Sequence, residues 1–432
     1  MRLFKHLYRS RLALVVQSIV TGFLVGLVIS SLRMALGQTH ILRQALYAYL
    51  KEAPPKMTLS WIVVLIAGGA LIGLCAKFRP LIRGGGVPEV KAHLQKRLKL
   101  RWRTELPLKW LCPVMAISAG LSLGWEGPSI QLGAYVALAV LSLFKRGEAS
   151  QHVLVCAGSA AGLSAAFSAP LSGVLFVIEE LTPSLQPLFL ACMMGASIAA
   201  DAAAGLFFGL KPAFDFRAVG VLPYAALPWL VLLGVVCAFL GDVFKRLIYA
   251  GQDFYKKLPV PELFHPIIPL LVSVPIGFFL FDATGGGHEL IKMLGTEDWT
   301  PRLLLIFLAV KLSFGALSAG SGTGGGIFIP FLSSGALTGT LFGLVLIHFG
   351  LIDADFHLNF IVLGMAGFFA SVVKAPVTAI VIVLEMTANM NHLMSLVAVA
   401  FSAFVVSELI ASPPIYAVLF NRLLRREAPH AT

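Results

Sequence analysis

A single carboxylate lies in the stretch 124–129 (GWEGPS), with apolar sequence on both sides. Glu126 is the only acidic residue between Leu106 and Phe144. An ionisable group is costly at membrane depth, so a lone one is a functional-site hypothesis by default. The alternative is a structural glutamate paired with a distant Lys or Arg. We favour the functional interpretation because few acids in lipid-embedded sequence serve packing alone.

The residues that follow Glu126 predict how its carboxylate is housed. Pro128 suits the first turn of a helix, where its missing N–H costs nothing, so a helix is expected to start at Glu126. The backbone amides at such a start attract anions, whether a side-chain carboxylate or a small dissolved ion. Glu126 and a free anion could therefore compete for one place.

Membrane helices must position this group. The chain has 432 residues, of which 58% are hydrophobic and 12% charged, and its mean hydropathy is +0.88, well beyond soluble domains. Apolar blocks of about 20 residues, enough to cross a hydrocarbon core of about 30 Å, recur along the chain. Other blocks, such as 113–123, are too short or too broken by glycine and proline to cross alone, which is typical of transporters. We predict an all-α, polytopic membrane protein of tilted and broken helices.

The basic residues predict the topology. The net charge is +12, but the basic residues lie next to the apolar blocks, so no nucleic-acid partner is indicated. Basic clusters at 2–11 and 422–426 flank the first and last spans, and the positive-inside rule places both termini in the cytoplasm. The segments 91–109, with seven basic residues, and 245–257 are also expected to be cytoplasmic. The first span is expected to be retained, since no cleavage pattern follows it.

An internal repeat is visible in the sequence. Residues 169–179 align without gaps on 375–385 at an offset of 206, and 127–134 align on 329–336 at an offset of 202. Chance matches are common in membrane sequences, but two ordered matches with nearly equal offsets favour an internal duplication. Interrupted segments at matching positions of two halves mark the central site of many transporters; here they begin at Glu126 and near Phe328.

The duplication predicts a domain organisation. We expect a first membrane repeat and a second one joined by a short connection, with a cytoplasmic tail at each end. The predicted segments are an N-terminal tail at 1–11, a first repeat at 12–210, a connection at 211–221, a second repeat at 222–419 and a C-terminal tail at 420–432.

Two glycine-rich loops require interpretation. Residues 320–325 match the GxGxxG spacing, but no alternation of strands and helices surrounds them, so a dinucleotide site is not favoured. Residues 84–88 (GGGVP) end in a proline, and successive amides near a helix start can form a nest for an anion. An ordinary loop is the alternative. The five cysteines occur singly, without metal-binding spacing, so neither a metal nor a cofactor is predicted.

These motifs resemble those of one family. The sequence GWEGP at 124–128 resembles the GREGP or GKEGP element of the CLC family of chloride channels and chloride/proton exchangers. GGGVP at 84–88 is similar to its GSGIP element, GIFIP at 326–330 to its GxFxP element, and Tyr416 to its anion-coordinating tyrosine. The resemblance extends from Leu14 to Leu419, nearly the whole chain.

The resemblance implies a homodimer in which each subunit has its own anion path between two inverted halves. Glu126 corresponds to the external gating glutamate, which occupies an anion site when ionised and swings away when protonated. Glu180 corresponds to the inner glutamate that passes protons in the family's exchangers, whereas Glu179 is expected to be structural. Without the resemblance, Glu180 would be interpreted as a helix-end charge facing the cytosol. The implied anion-binding residues are Gly85, Gly86, Val87, Ile327, Phe328 and Tyr416.

The implied ligands are chemically suitable. Amides and a hydroxyl carry no full positive charge, so they can bind an anion weakly enough to release it, as conduction requires. Two departures bear on the anion. Gly85 replaces the family's serine and removes one hydroxyl donor, and Trp125 replaces a basic residue, which weakens electrostatic attraction at the outer mouth. Only sixteen residues follow Tyr416, too few for the family's paired regulatory domains, which suggests a bacterial member in the plasma membrane.

The sequence is compatible with three functions to different degrees. The favoured one is exchange of an anion, chloride first, for protons. A passive anion channel on the same fold is disfavoured because Glu180 is acidic where the family's channels usually are not. An intramembrane enzyme that uses Glu126 as a general base would need a second catalytic group, and the sequence does not indicate one.

Overall fold

The computed structural model describes residues 2–144, 148–209, 211–214, 216 and 220–427. Within them the secondary structure is helical, and the only strand-like pairing is one bridge between Gly124 and Gly326. The predicted all-α class is confirmed. The helices are α1 (Arg2–Glu52), α2 (Pro55–Phe78), α3 (Val87–Leu94), α4 (Trp102–Ser118), α5 (Glu126–Phe144), α6 (Glu148–Phe167), α7 (Pro170–Phe176), α8 (Pro187–Phe208), α9 (Leu227–Lys257), α10 (Ile267–Phe279), α11 (His288–Leu294), α12 (Pro301–Gly320), α13 (Phe328–His348), α14 (His357–Val373), α15 (Pro376–Thr387), α16 (Leu393–Leu409) and α17 (Ile415–Glu427).

Long and short helices are mixed, as predicted for a transporter. Ten helical segments of the described chain are long and apolar enough to cross a membrane, whereas α3, α7 and α11 have only seven or eight residues. Large apolar side chains on the outer faces, such as Leu206, Phe279 and Leu409, are more than 70% exposed. Such exposure suits a lipid-facing surface, and the chain is a multi-pass membrane protein.

The predicted helix starts are confirmed. Helix α5 begins at Glu126 and α13 begins at Phe328. In the second pair of matched segments, α7 and α15 begin at Pro170 and Pro376. At all four starts a proline lies in the first turn, where the helix requires no donor.

The two repeats meet at one pair of equivalent residues. The Gly124 amide donates to the Gly326 carbonyl oxygen at 2.7 Å, and the Gly326 amide donates back to Gly124 at 2.7 Å. The positions differ by 202, the offset of the matched segments around them. A reciprocal, antiparallel pair of equivalent positions lies on a pseudo-two-fold axis, so the repeats have inverted topology. The starts of α5 and α13 are thereby brought side by side.

A second reciprocal contact ties the repeats together. Glu385 accepts hydrogen bonds from the amides of Leu171 and Ser172 at the start of α7, at 3.0 and 2.8 Å. Glu179 accepts the equivalent bonds from Val377 and Thr378 at the start of α15, at 3.3 and 2.7 Å. A carboxylate satisfies the free amides of a helix start and complements its dipole. The expectation that Glu179 is structural is confirmed.

Matched glycines allow close helix packing in both repeats. A Cβ atom at Gly133 would lie 1.9 Å from the carbonyl oxygen of Gly158, and one at Gly335 would lie 2.5 Å from that of Gly364. The first pair joins α5 to α6 and the second joins α13 to α14. The duplication therefore extends to the way in which equivalent helices pack.

Each of the two segments predicted to be cytoplasmic contains a buried lysine. Lys109 lies within α4 and is fully buried, and its ammonium donates to the carbonyl oxygens of Ile82, Gly84 and Gly324. Lys245 lies within α9, is 1% exposed and donates to the Ser371 carbonyl oxygen. Carbonyl oxygens at loops and helix ends can compensate a buried ammonium. Counting charges along the sequence cannot distinguish such lysines from those facing the cytoplasm.

The predicted domain boundaries stay predictions. Helix α1 continues past residue 11, and α17 begins before residue 420. Neither predicted boundary between a tail and a repeat therefore coincides with a helix end. Residues 210, 215 and 217–219, in and beside the predicted connection, lie outside the described residues, as do 1 and 428–432 at the chain ends.

Candidate functional site

Glu126 lies where the two repeats meet. Its side chain is 0% exposed, and its carboxylate lies against the backbone amides of Glu126 and Ile329 at the starts of α5 and α13. Neither carboxylate oxygen makes a well-aligned hydrogen bond to the described residues. A Cβ atom at position 124 would lie 2.1 Å from Oε2 of Glu126, so Gly124 leaves the space that the carboxylate occupies. The glycine before Trp125 thus makes room for a buried carboxylate, and the local sequence supplies no cation to pair with it.

A histidine that the sequence analysis did not identify is the nearest ionisable neighbour. Nε2 of His288 lies 3.3 Å from Oε1 of Glu126. The imidazole stacks on the Trp125 indole, with ring centroids 3.9 Å apart and an interplanar angle of 4°. Burial lowers the pKa of His288 well below its ordinary value, and the positive charges of Lys292, Arg33 and Lys311 lower it further. Both effects favour the neutral imidazole.

One signal in the sequence pointed towards this histidine. The three glycines before α11, at 285–287, repeat the three glycines before α3, at 84–86, at an offset of 201. The structural match is close, because Lys109 of α4 donates to the Gly84 carbonyl oxygen and Lys311 of α12 donates to that of Gly285. His288 therefore occupies the outer counterpart of Val87, one of the predicted anion-binding residues.

One cavity leads towards Glu126 from the side expected to be extracellular, and we call it the outer cavity. Its volume is about 240 Å³, and Trp125 and His288 form part of its wall. Arg33, Arg43 and Lys292 also line it, together with the acids Asp282 and Glu289. Trp125 was expected to leave the outer mouth short of positive charge, but side chains from α1 and α11 supply such charge.

An inner cavity approaches from the opposite side. Its volume is about 170 Å³, and its wall includes Gly85, Ile327 and Tyr416. Two acids, Glu89 and Glu262, and four Lys or Arg side chains line it, so the basic groups are in excess. The four basic side chains are Arg83, Lys256, Arg422 and Arg426. The cavity therefore joins a positively charged mouth to three of the predicted anion-binding residues.

The remaining predicted anion-binding residues have other surroundings. The Gly86 amide donates to Oε2 of Glu89 at 2.9 Å, so it is already satisfied. The side chains of Val87 and Phe328 are fully buried. The Phe176 ring contacts both Phe328 and Tyr416, with ring centroids 6.1 Å apart in each case. Phe176 thus packs beside the predicted anion site and was not identified from the sequence.

Glu180 has a basic partner of its own. Its side chain is 7% exposed, and Oε1 accepts from the Lys91 ammonium of α3 at 2.9 Å. Glu180 lies in a π-helical turn, Val177–Leu181, at the end of α7. Adjacent residues of a helix face different directions, so Glu179 reaches the start of α15 while Glu180 faces Lys91. Such turns often occur at functional sites.

The match to known proteins agrees with this arrangement. A family model described as voltage gated chloride channel matches residues 67–408. The chain belongs to the CLC family. Two relatives named H(+)/Cl(-) exchange transporter ClcA, from Salmonella paratyphi B and Salmonella newport, are each 30% identical over 439 residues, covering 97% of this chain and 90% of the relative.

Solved CLC structures share the fold. A slow cyanobacterial Cl-/H+ antiporter superposes with a TM-score of 0.90 at 26% identity, covering 96% of this chain and 99% of that one. A CLC-type fluoride/proton antiporter superposes with a TM-score of 0.75 at 22% identity, covering 94% and 96%. The second comparison concerns the fold alone. The predicted family and its inverted-repeat architecture are confirmed.

Proposed function

We propose that this chain exchanges chloride for protons across a membrane, with Glu126 as the gate. The observation that carries the proposal is the buried carboxylate of Glu126 at the helix start where the repeats meet, with a basic cavity approaching from each side. Ionised, the carboxylate occupies the place that an anion would take at the helix start. Protonated, it leaves that place open. The similarity to proteins named as chloride/proton exchangers supports this reading.

The central anion would be held by neutral donors. We assign this role to the backbone around Gly85 and Val87, the backbone at Ile327 and Phe328, and the Tyr416 hydroxyl. Gly86 contributes through the shape of its loop, because its own amide is bound by Glu89. Donors of this kind retain an anion weakly enough for it to leave towards the basic inner cavity.

Glu180 would pass protons between the cytoplasm and Glu126. It is acidic and nearly buried, and Lys91 holds it beside the inner end of the pathway. This acid is the feature that favours an exchanger over a passive channel on the same fold. A channel has no use for a buried proton carrier that is displaced from the anion route.

We also infer the setting. The clusters of basic residues at both chain ends favour cytoplasmic termini, and similarity to Salmonella relatives favours a bacterial inner membrane. Two copies, each with its own path and surrounded by lipid, would form the functional dimer.

The test is an anion flux assay in liposomes with simultaneous pH recording. Purified protein should move chloride outward and protons inward together, and the anion flux should rise as pH falls. Glu126→Gln, which resembles a permanently protonated gate, should keep anion flux but lose its pH dependence and its proton movement. Asp242→Asn, at an acid that lines neither cavity, is the matched control. Chloride flux without proton movement in the unaltered protein would favour the channel, and proton movement retained in Glu126→Gln would defeat the gate assignment.

A further inference from the structure

The contact between His288 and Glu126 has a chemistry of its own. Within the described residues no Lys or Arg nitrogen lies within 4 Å of the Glu126 carboxylate, whereas Nε2 of His288 lies 3.3 Å from it. The contact is short but not aligned as a hydrogen bond, since Oε1 has no such partner. A small rotation of the Glu126 carboxylate would align it. A neutral imidazole can donate one hydrogen bond, and a bond to an ionised acceptor is among the stronger ones.

The imidazole is held in place by its neighbours. One face lies parallel to the Trp125 indole at 3.9 Å, and Phe214 stacks near it with ring centroids 6.0 Å apart. A Cβ atom at Gly286 would lie 3.6 Å from Nδ1 of His288, the nitrogen on the other side of the ring. Nδ1 is itself buried and has no hydrogen-bond partner among the described residues. The ring is therefore confined, and Nε2 is the nitrogen that faces the gate.

We propose that His288 is a positioning residue for the gate: it donates a hydrogen bond to ionised Glu126 and holds the carboxylate in its closed position, while Trp125 holds the imidazole. This inference rests on the proposed gating role of Glu126. It also gives a function to Trp125, which departs from the family's basic residue. An indole can clamp a neutral imidazole by stacking, whereas a cation at this position would leave the ring without that support.

Charged groups surround the pair on several sides. Helix α1 contributes Arg33, Arg43 and His40, α12 contributes Lys311, α11 contributes Glu289 and Lys292, and the turn before α11 contributes Asp282. The cations among them disfavour an imidazolium, so the imidazole acts as a neutral donor. Because these groups remain in a His288 variant, their common effect on the gate cancels in a comparison with the unaltered protein.

The test compares the pH at which anion flux is half-maximal. A donor to the ionised gate stabilises the closed form, so its removal allows Glu126 to be protonated, and the gate to open, at higher pH. His288→Phe keeps an aromatic ring for the stack but removes the donor, and should raise the midpoint by about one pH unit. His288→Gln restores a donor of similar reach, and its midpoint should return to near that of the unaltered protein. His288→Asn, whose amide is too short to reach Glu126, should resemble His288→Phe.

Two further variants separate the hydrogen bond from packing. His40→Phe removes an imidazole from the same cavity without touching Glu126, and its midpoint should shift much less than that of His288→Phe. Trp125→Ala should raise the midpoint in the unaltered background, but by less in His288→Phe, since residues that act through one another are not additive.

The outcomes distinguish the inference from the function on which it rests. If the unaltered protein couples chloride to protons and Glu126→Gln abolishes the pH dependence, the gating role of Glu126 is supported independently of the results for the His288 variants. An unchanged midpoint in both His288→Phe and His288→Asn would then overturn the positioning role. So would a midpoint in His288→Gln that shifts as far as in His288→Phe, because shape rather than donation would be the cause.

Discussion

At the scale of single residues, proton transfer depends on Glu180. Glu180→Gln removes the ionisable group but preserves its shape, and Lys91 can still donate to the amide oxygen. We expect proton movement to fall to background while chloride flux persists, since no predicted anion donor is altered. Simultaneous recording of chloride and pH in liposomes measures both rates. Glu262→Gln, at an acid that lines the inner cavity and pairs with Arg83, is the matched control and should remain coupled. Coupled transport by Glu180→Gln would show that protons take another route.

Gly85 is the residue at which anion binding can be strengthened. A Cβ atom there would lie 3.7 Å from the Gly326 Cα atom, an ordinary contact, so a side chain fits. Gly85→Ser should tighten chloride binding by up to about tenfold, because a hydrogen bond to a charged group contributes about 1.5–3 kcal/mol and neighbouring amides or water already recover part of it. The affinity for chloride should increase more than the affinity for nitrate, and proton coupling should persist.

Calorimetric titration with both anions measures this effect. Gly85→Ala is the matched control, because it adds the same Cβ atom without a hydroxyl. Equal affinities in the serine variant, the alanine variant and the unaltered protein would mean that position 85 does not face the anion. Gly86 offers no such opportunity, since its φ of +104° and a contact of 2.2 Å from its Cβ position to the Gly127 carbonyl oxygen exclude a side chain.

At the scale of helices, Glu385 caps the start of α7 and Glu179 caps the start of α15, and both caps should stabilise the fold. Glu385→Gln weakens three contacts to the start of α7, from the Leu171 amide and from the amide and hydroxyl of Ser172. We expect the free energy of unfolding to fall by about 1–2 kcal/mol. Glu179→Gln should cost less, because Glu179 is exposed and solvent screens its charge.

Denaturant titration of the protein in detergent micelles measures both losses. Glu408→Gln is the control, because Glu408 is an exposed acid that pairs with Lys374, and a surface ion pair contributes about 0–1 kcal/mol. A loss for Glu385→Gln no greater than for Glu408→Gln would show that the helix starts are satisfied in another way.

At the scale of the whole molecule, the two repeats should assemble without a covalent link. The contacts between them include the Gly124 and Gly326 pair, the two caps, and Lys109 bound to the Gly324 carbonyl oxygen. When the chain is cut within 211–221 and both parts are expressed together, they should copurify and carry out exchange. The cut chain carrying Glu179→Gln and Glu385→Gln should give a lower yield of the pair. Parts that insert separately and never copurify would contradict this.

The sequence predicted features that depend on local chemistry. Proline and glycine marked the starts of α5 and α13, and the repeat offsets predicted which interrupted segments would mark the central site. Features that depend on distant partners could not be predicted. Lys109 is buried because three carbonyl oxygens from two repeats surround it, and His288 lies 162 positions from Glu126 in the chain. Glu179 caps a helix whereas the adjacent Glu180 pairs with Lys91. This difference depends on a π-helical turn, which has no recognised sequence pattern.

Because each helix cap joins one repeat to the other, the first repeat cannot be completed until the second has been synthesised. The amide of Leu171 is bound by a carboxylate that lies 214 positions later in the chain. Ribosomes add about 5–20 residues per second, so the start of α7 emerges roughly 10 to 40 s before Glu385 exists. During that interval its amides must be satisfied by water, by headgroups or by the insertion machinery. Final packing of the first repeat is therefore post-translational in part, and slow translation of the second repeat would expose the first to quality-control proteases.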